Sequence, residues 1–293
     1  MRCEEVSRRL DAFRTGELER RENEVVIAHL SECRACAVDL QRIEEIAVDL
    51  MRLQVQAPSN ILKQVKAEQV DRYAAVKTAL GIVWVAYNVK GITRIDPSGG
   101  DPASFEKICE KRLGHRPVKG EMPPVYANAI RKAASGQSPS TVRVDLSGLT
   151  SFEQTVLRLL RQIPRGEVRP YSWLAREAGN PAAVRAVGNA MAHNPVPLLL
   201  PCHRVVPSTG GIGRYAFGTP LKRTLLMKEG APVSDIERYA GEGVRFIGCR
   251  STGIYCFPTC RDARRVQEQN RILLASAAAA AEAGFRPCRH CRP

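Results

Sequence analysis

The stretch NPVPLLLPCHRV, residues 194–205, is the most informative part of the chain, because it places Cys202 beside His203. A thiol attacks an electrophilic carbon as its thiolate, and a neighbouring histidine can act as the base that generates it. Glu229, further along the chain, supplies a carboxylate that can orient the histidine. Adjacent side chains of an extended chain point to opposite sides, so Cys202 and His203 need a turn or a bridging water. The three residues predict a nucleophilic site, whereas Cys202 taken alone would more often be a buried structural thiol.

Two short helical patterns precede this stretch. The first covers residues 171–178 and is stopped by Gly179. Asn180 is placed to cap the second, which begins with Pro181 and runs to about residue 192. This spacing is typical of a helix-turn-helix.

Periodicity predicts further elements on both sides of this pair. They are a hairpin over residues 82–95, a helix over 104–112, a strand over 142–145, and helices over 151–163 and 219–229. Helical stripes also fill residues 1–50. We expect a multidomain α+β protein with small domains at both ends. The expected division is a small α domain over 1–50, a linker over 51–72, an α/β subdomain over 73–147, a helical subdomain over 148–232, a linker over 233–243 and a small α+β domain over 244–293.

The charge is distributed unevenly along the 293 residues. Residues 1–50 carry a net charge of −4 and residues 73–293 a net charge of +16. A basic body favours a polyanion such as nucleic acid, and an acidic head favours a different partner.

Cysteine usage points to metal sites. The first residues lack the apolar segment of a signal peptide, and no run approaches the roughly 18 apolar residues that span a bilayer. We therefore expect a cytoplasmic protein without a membrane partner, in a compartment where disulfides are rare. Ten cysteines then indicate metal ligands and reactive thiols.

Two cysteine clusters have the spacing of tetrahedral zinc sites. The first is C-terminal and pairs Cys256-x3-Cys260 with Cys288-x2-Cys291, which is a strong signal for four thiolate ligands. The second is N-terminal and less regular. Its residues His29, Cys33 and Cys36 would share one face of a helix, and Cys3 would supply a fourth ligand.

The central segment closely resembles the O6-alkylguanine-DNA alkyltransferases, from about residue 75 to residue 231. The resemblance is carried by RAVGNAM at 185–191, residues 194–205, Tyr215 and Lys228-Glu229-Gly230. It implies an RNase H-like α/β subdomain followed by a winged helix-turn-helix-like subdomain. It also implies irreversible transfer of an alkyl group from guanine to Cys202, through a Glu229–His203–water relay, in double-stranded alkylated DNA.

The same resemblance assigns DNA contacts and pocket residues. The target base lies inside the duplex and has to be flipped out. Arg185 matches the residue that enters the base stack, and Tyr171 the residue that crowds the target phosphate. Asn194 and Tyr215 match positions that shape the cysteine turn and the guanine pocket. Small residues on the second helix, Ala186, Gly188 and Ala190, would let it approach the minor groove closely. Without the motif, Arg185 would be read as part of a solvated helix face.

The two ends of the chain carry resemblances of their own. Residues 250–260 and 283–293 closely resemble the zinc domain of Ada-type proteins, which implies that Cys256 takes a methyl group from a backbone methylphosphotriester. Thr252, Arg264 and Arg286 match positions that contact the DNA backbone. Residues 3–36 closely resemble bacterial zinc-binding anti-sigma domains, which implies a sigma factor as partner for residues 1–50. A zinc-stapled helical domain without that partner remains the alternative.

Two functional hypotheses follow. The first is a single-turnover DNA repair methyltransferase that acts at Cys202, and on methylphosphotriesters at Cys256. The second is an alkylation-responsive transcriptional regulator, in which methylation of Cys256 removes negative charge, strengthens DNA binding and signals to a sigma factor.

Overall fold

The computed structural model describes residues 2–52, 70–139 and 141–293. The chain divides into two compact units, one within residues 1–65 and one within residues 66–293. The predicted linker over 51–72 falls outside the described residues except at its two ends.

The first unit is helical, as the stripes in residues 1–50 predict. Its helices are α1 (Cys3–Ser7), α2 (Leu10–Thr15), α3 (Arg20–Glu32) and α4 (Arg34–Arg52). Its small core is built on Val6, Leu10 and Val26, which are fully buried, and on Cys36, which is 2% exposed. A core of this size stabilises few residues, so a metal at the cysteine cluster is the expected additional support.

The second unit begins with a four-stranded sheet in the order β3-β2-β1-β4. Its strands are β1 (Arg72–Thr78), β2 (Gly81–Asn88), β3 (Gly91–Asp96) and β4 (Val118–Lys119), and its helices are α5 (Pro102–Leu113) and α6 (Pro124–Ala134). The predicted hairpin is β2–β3, joined by the turn after Asn88. The predicted helix over 104–112 is α5, which Asp101 caps by accepting a hydrogen bond from the Ser104 amide at 2.9 Å.

The predicted strand over residues 142–145 is wrong. Only a single bridge forms there, between Ile92 and Val144. The segment runs parallel to the start of β3 at this point only, where the Ile92 amide donates to the Arg143 carbonyl at 3.0 Å and the Ile92 carbonyl accepts from the Asp145 amide at 2.9 Å. The alternating pattern reflects burial around this single bridge and not a ladder.

The helical part of the second unit carries the central motif. Its elements are α7 (Ser151–Leu159) with a 3-10 turn (Leu160–Gln162), β5 (Arg169–Pro170), α8 (Tyr171–Glu177), α9 (Val184–Ala192), a 3-10 turn (Cys202–Arg204), β6 (Val205–Val206) and α10 (Thr219–Lys228). β5 pairs with β6 in parallel, so the start of α8 is tied to the segment that follows the cysteine.

The predicted start of α9 is three residues too early. Residues 181–183 form a turn closed by the hydrogen bond from the Ala183 amide to the Asn180 carbonyl at 3.0 Å. The helix begins at Val184 without a side-chain cap. Pro181 fits the turn as well as it would fit a first helical turn, so the sequence does not separate the two.

The predicted linker over residues 233–243 contains a helix, α11 (Val233–Gly241). Val233, Ile236 and Tyr239 lie on its buried face at spacings of three residues. The segment is therefore packed onto the unit and does not form an extended connection.

The last part of the second unit is a sheet in the order β10-β8-β7-β9. Its elements are β7 (Phe246–Cys249), β8 (Ile254–Cys256), α12 (Arg261–Arg264), a 3-10 turn (Glu268–Asn270), β9 (Arg271–Leu274), α13 (Ala277–Glu282) and β10 (Arg286–Pro287). The whole is a mixed α/β protein of several domains. Among the residues described, no helix is long and apolar enough to cross a membrane.

Candidate functional site

The nucleophile candidate Cys202 lies in a constrained turn. Its residues 202–204 form a 3-10 turn, and the Cys202 amide donates to the Leu200 carbonyl at 2.8 Å. Of the two alternatives that the sequence left open for this pair, a turn or a bridging water, the turn is present. Asn194 holds the loop before it, because its Nδ2 donates to the Leu200 carbonyl at 2.8 Å and its Oδ1 accepts from the Val196 amide at 3.0 Å. Leu198 has a φ of 73°, a left-handed conformation that a branched residue adopts only when its surroundings impose it.

A buried carboxylate joins the next two residues of the turn. Glu229 Oε1 lies 2.9 Å from His203 Nε2, and the Arg204 guanidinium donates to both Glu229 oxygens at 2.8 Å. Arg204 also donates to the Ile163 carbonyl at 2.6 Å. His203 is 1% exposed and Glu229 7% exposed, and with Cys202, at 5%, they form a triad that is closed to solvent. The motif predicted the His203–Glu229 pair but not the hydrogen bonds from Arg204 to Glu229. The position of Arg204 next to His203 could have indicated them.

The tautomer of His203 follows from these contacts. An ionised carboxylate only accepts hydrogen bonds, so Nε2 carries the hydrogen that points to Glu229. The other nitrogen, Nδ1, is buried and has no hydrogen-bond partner. Burial lowers the pKa of His203 against the opposing effect of Glu229, which favours the neutral, basic imidazole.

Cys202 is itself buried, at 5% exposure. Burial raises the pKa of its thiol, while hydrogen bonding to Asn194 and Tyr215 acts in the opposite direction. Tyr215 Oη lies 3.9 Å from Cys202 Sγ. The structure thus brings together the five residues predicted for the site centre: Cys202, His203, Glu229, Asn194 and Tyr215. A thiol so placed needs a base close by, because burial alone keeps it protonated.

Lys222 is a member of this centre that the sequence analysis missed. It is 1% exposed, and its Nζ donates to the Val205 carbonyl at 2.6 Å. Burial lowers its pKa to about 8, and the neighbouring Cys202 acts to raise it. A positive charge here favours the thiolate of Cys202. Lys222 lies on the same face of α10 as Leu225 and Leu226, and this spacing could have indicated that its side chain is buried.

Four of the predicted DNA contacts lie on α8 and α9. Arg185 and Ala186 are exposed on α9, and Gly188 is half-buried. Tyr171 opens α8 and is half-buried; burial raises its pKa, and the charge of Cys202 adds to the rise. Ala190 is 1% exposed and packs into the core, so it does not belong to the approach surface.

The C-terminal cysteines converge as their spacing predicts. The Sγ atoms of Cys256, Cys260, Cys288 and Cys291 all lie within 4.8 Å of one another, and all four residues are buried. Hydrogen bonding to Cys260 and Cys291, together with burial, raises the pKa of Cys256. Four thiols packed this closely can ionise together only around a cation, and tetrahedral zinc fits the donor set.

The surroundings of this cluster include residues that the sequence analysis singled out and one pair that it missed. Thr252 and Arg286 are exposed and line a cavity of about 790 Å³ together with Cys256. Arg264 is exposed and donates to the Gly230 carbonyl at 3.4 Å. Asp262, which was not predicted, lies 2.5 Å from His290 Nδ1 and accepts from the Cys288 thiol at 3.4 Å.

The N-terminal cluster also converges. Cys3, His29, Cys33 and Cys36 place their ligand atoms within 4.8 Å of one another, and the Sγ atoms of Cys3 and Cys33 are 3.7 Å apart. His29 Nε2 is buried without a hydrogen-bond partner. An orphaned imidazole nitrogen beside three thiols is the arrangement that a zinc ion satisfies.

Three parts of the chain match known protein families. Residues 151–231 match the DNA-binding domain of 6-O-methylguanine DNA methyltransferase, residues 237–293 match the metal-binding domain of Ada, and residues 3–37 match a putative zinc-finger.

Individual proteins that carry these family names are also similar to this chain. Human methylated-DNA–protein-cysteine methyltransferase is 54% identical over 81 residues, which are 27% of this chain and 39% of the human protein. The bifunctional transcriptional activator/DNA repair enzyme Ada of Escherichia coli is 34% identical over 164 residues, 54% of this chain and 45% of that protein. The crystal structure of the Mycobacterium tuberculosis O6-methylguanine methyltransferase in complex with DNA is 30% identical, with a TM-score of 0.45, over 55% of this chain and 96% of that one.

Coverage differs among these relatives. The chain spans between 39% and 46% of the length of the mammalian methyltransferases that it matches. It spans 68% of the methylated-DNA–protein-cysteine methyltransferase of Mycolicibacterium paratuberculosis, at 38% identity over 113 residues, or 37% of this chain. On this match, the chain belongs to the methylated-DNA–protein-cysteine methyltransferase family.

Proposed function

We propose that this protein repairs O6-alkylguanine in double-stranded DNA by irreversible transfer of the alkyl group to Cys202. The observation that carries the proposal is the buried triad. Glu229 holds His203 Nε2 at 2.9 Å, and the free Nδ1 of that imidazole is left as the only unpaired nitrogen of the residue beside the nucleophile. The basic charge of residues 73–293 suits a DNA substrate.

The chemistry follows from the tautomer. His203 Nδ1, acting through a bridging water, takes the thiol proton of Cys202, and the ionised Glu229 stabilises the imidazolium. The Cys202 sulfur then forms a bond to the alkyl carbon while the bond from that carbon to guanine O6 breaks. The electron pair goes to the guanine, which recovers the proton and leaves neutral. The thioether has no route back to the thiol, so each molecule acts once.

The first prediction concerns the acceptor. In Cys202→Ala the thiol is gone, so incubation with a duplex containing O6-methylguanine should give no methylated protein by intact-mass spectrometry, with DNA binding retained. Cys109→Ala is the matched control, because Cys109 is a fully buried thiol of the sheet subdomain outside the triad. It should acquire one methyl group, which peptide mapping places on Cys202. Demethylation of guanine by Cys202→Ala would refute the assignment.

The second prediction concerns pH and stability. Burial opposes ionisation of Glu229, but the hydrogen bonds from His203 and Arg204 prevail and lower its pKa from 4.5 to about 2. A lowered pKa stabilises the fold above pH 4.5 by about 3 kcal/mol, and this contribution is lost as pH falls from 4.5 towards 2. Glu229→Gln should therefore be less stable at pH 7, and its deficit in unfolding free energy should shrink between pH 5 and pH 3.

Glu237→Gln is the control for this measurement, since it removes a carboxylate from an exposed ion pair with Arg223. Its deficit should stay below about 1 kcal/mol in chemical denaturation at every pH. If the loss of unfolding free energy in Glu229→Gln does not change with pH, then His203 and Arg204 do not lower the pKa of Glu229.

We further propose that α8 and α9 form the DNA interface, with Tyr171 against the target phosphate and Arg185 in the base stack. Tyr215 would lie against the flipped guanine. One supporting observation is that Tyr171, at the start of α8, lies close enough to Cys202 to feel its charge. The other is that Arg185 and Ala186 are both exposed on α9. Both the exposed arginine and the lack of bulk beside it suit a minor groove.

Gly188 provides a sharp test of close approach. A Cβ at Gly188 meets no atom of the protein within 4 Å, so Gly188→Ala should fold normally and gain about 0.5–1 kcal/mol of helix stability. If the helix enters a groove, the same methyl group lies against DNA and should weaken duplex binding by about tenfold. Gly241→Ala, at the end of α11 and equally free of contacts, is the control. DNA affinity equal to that of the unmodified protein would place α9 away from the groove.

We propose zinc at both clusters, with Cys256, Cys260, Cys288 and Cys291 as one ligand set and Cys3, His29, Cys33 and Cys36 as the other. Bound zinc lowers the pKa of a ligating thiol and keeps it as a thiolate. Cys256 and Cys288 both line the cavity that contains Thr252 and Arg286, which are placed to hold a DNA phosphate, and the resemblance to the Ada-type zinc domain singles out Cys256. We therefore propose that it accepts a methyl group from methylphosphotriesters, and duplex DNA carrying only that lesion is the substrate for the mass measurement.

A second function, signalling to a sigma factor, is favoured by the surface of the first unit. Its helices α3 and α4 expose large apolar side chains, namely Val25, Ile27, Val38, Ile46 and Val48, at 42–59%. Together with the net charge of −4, this pattern suits a protein partner more than DNA.

The corresponding prediction uses purified sigma factors of the host and size-exclusion chromatography. The full chain should form a complex with one of them, and Ile27→Asp should abolish it because a charge then lies in the apolar contact. Ile82→Asp, on β2 of the second unit and 47% exposed, should leave it unchanged. Absence of a complex with every sigma factor, before and after methylation of the chain, would reject this function.

A further inference from the structure

The C-terminal cysteine cluster is packed directly against the helix-turn-helix. The residues that carry this contact stand next to the ligands in sequence: Phe257 and Thr259 follow Cys256, Arg261 follows Cys260, and Arg292 follows Cys291. Each ligand hairpin thus presents its own neighbours to the rest of the unit.

The first ligand hairpin contacts residues 167–169, just before α8. Thr259 is 1% exposed, and its Oγ1 accepts from the Val168 amide at 3.0 Å. The Arg261 amide donates to Glu167 Oε1 at 3.1 Å. Arg169 lies 5.3 Å from the Phe257 ring centroid.

These contacts cover a buried ion pair. Glu167 and Arg169 lie 2.5 Å apart with side chains only 3% exposed. A buried charge is strongly unfavourable unless all its partners are in place. Here the Arg261 amide supplies a hydrogen bond to the Glu167 carboxylate, and the Phe257 ring covers the Arg169 guanidinium. The contact is therefore a condition for the local structure and not an incidental surface.

The second ligand hairpin contacts α8 itself. Trp173 Nε1 donates to the carbonyl of Cys291 at 3.0 Å, which makes a zinc-ligand residue the acceptor of a bond from the helix. Arg292 lies 5.7 Å from the Trp173 ring centroid, pairs with Glu177 at 2.8 Å, and accepts from Arg176 through its carbonyl. Its φ of 47° is left-handed, a conformation that costs energy in a residue with a side chain and that the packing therefore imposes.

The hairpins have little regular structure to hold them. β10 has two residues and α12 has four, and residues 288–293 lie outside any helix or strand. Apart from the short pairing of β8 with β10, convergence of the four buried thiols is what supports their shape, and that convergence depends on a cation. By contrast, the hydrogen bonds that hold the nucleophile turn, residues 202–204, and the loop before it stay within residues 151–231: Glu229 and the Ile163 carbonyl accept, and Asn194 donates.

We propose that zinc at the C-terminal cluster positions α8, and with it Tyr171, so that zinc occupancy sets the rate of guanine repair without taking part in that chemistry. The inference rests on the proposed repair function at Cys202. Trp173 and Arg292 are positioning residues in it. The expected coupling is about tenfold in the transfer rate from duplex DNA, within the usual range for two linked sites.

The chain offers a direct reporter, since it holds two tryptophans, Trp84 and Trp173. Trp84 lies in the first sheet against Tyr73 and Phe105, so Trp84→Phe leaves Trp173 as the single tryptophan of the full chain, excited selectively at the red edge of its absorption. In this background, removal of zinc by a chelator should shift the Trp173 emission to longer wavelength and slow methyl transfer to Cys202 about tenfold, and added zinc should reverse both. Cys3→Ser, which disables the N-terminal cluster alone, should leave the emission unchanged.

Arg292→Ala separates the contact from metal binding. It should retain the zinc content of the parent but show the shifted emission and the slower transfer. Arg289→Ala is the matched control, because it removes the same charge from an exposed residue of the same hairpin. It should keep the parent emission.

Unchanged transfer after zinc removal and in Arg292→Ala would overturn the proposal, whether or not the emission moves. If the zinc-loaded parent transfers no methyl group at all, the repair function itself fails. The emission then still shows whether zinc positions Trp173.

Discussion

One buried carboxylate organises the centre of this protein. Glu229 binds two consecutive residues of the nucleophile turn, His203 through one oxygen and Arg204 through both. Because the two partners are neighbours in sequence, their shared acceptor fixes the direction of the turn and therefore where Cys202 points. The same contact sets the tautomer of His203, so structure and chemistry depend on one group.

The backbone around Glu229 is in close contact with two other backbone segments, at Gly136 and at Gly166. Gly136, at the end of α6, approaches so closely that a Cβ there would lie 2.3 Å from the Lys228 carbonyl oxygen. Gly166 has a φ of 75°, and its Cβ would lie 3.0 Å from the Glu229 carbonyl oxygen. Both positions require glycine because backbone meets backbone. The end of α6 and the turn at Gly166 thereby fix the backbone that carries the Glu229 side chain.

Several local patterns were interpreted correctly from the sequence, but the helix within residues 233–243 and the start of α9 were not. The hairpin and α5 were predicted because their signals lie within a few residues of each other, and the cysteine clusters because the spacing of their neighbouring ligands is typical of zinc sites. The role of Lys222 escaped, since nothing in its own helix shows that Val205 supplies a buried acceptor. The strand over 142–145 was wrong because alternation reports burial on a surface and not the ladder that makes a strand.

The buried pair Glu167–Arg169 also constrains the order in which parts of the protein can complete their packing. Its cover is supplied by residues 257–261, about ninety positions later in the chain. Residues 167–169 are synthesised before residues 257–261, so the pair reaches its final packing only after the C-terminal segment has been made. With zinc bound at the C-terminal cluster as proposed, the packing of α8 would also depend on the supply of the metal.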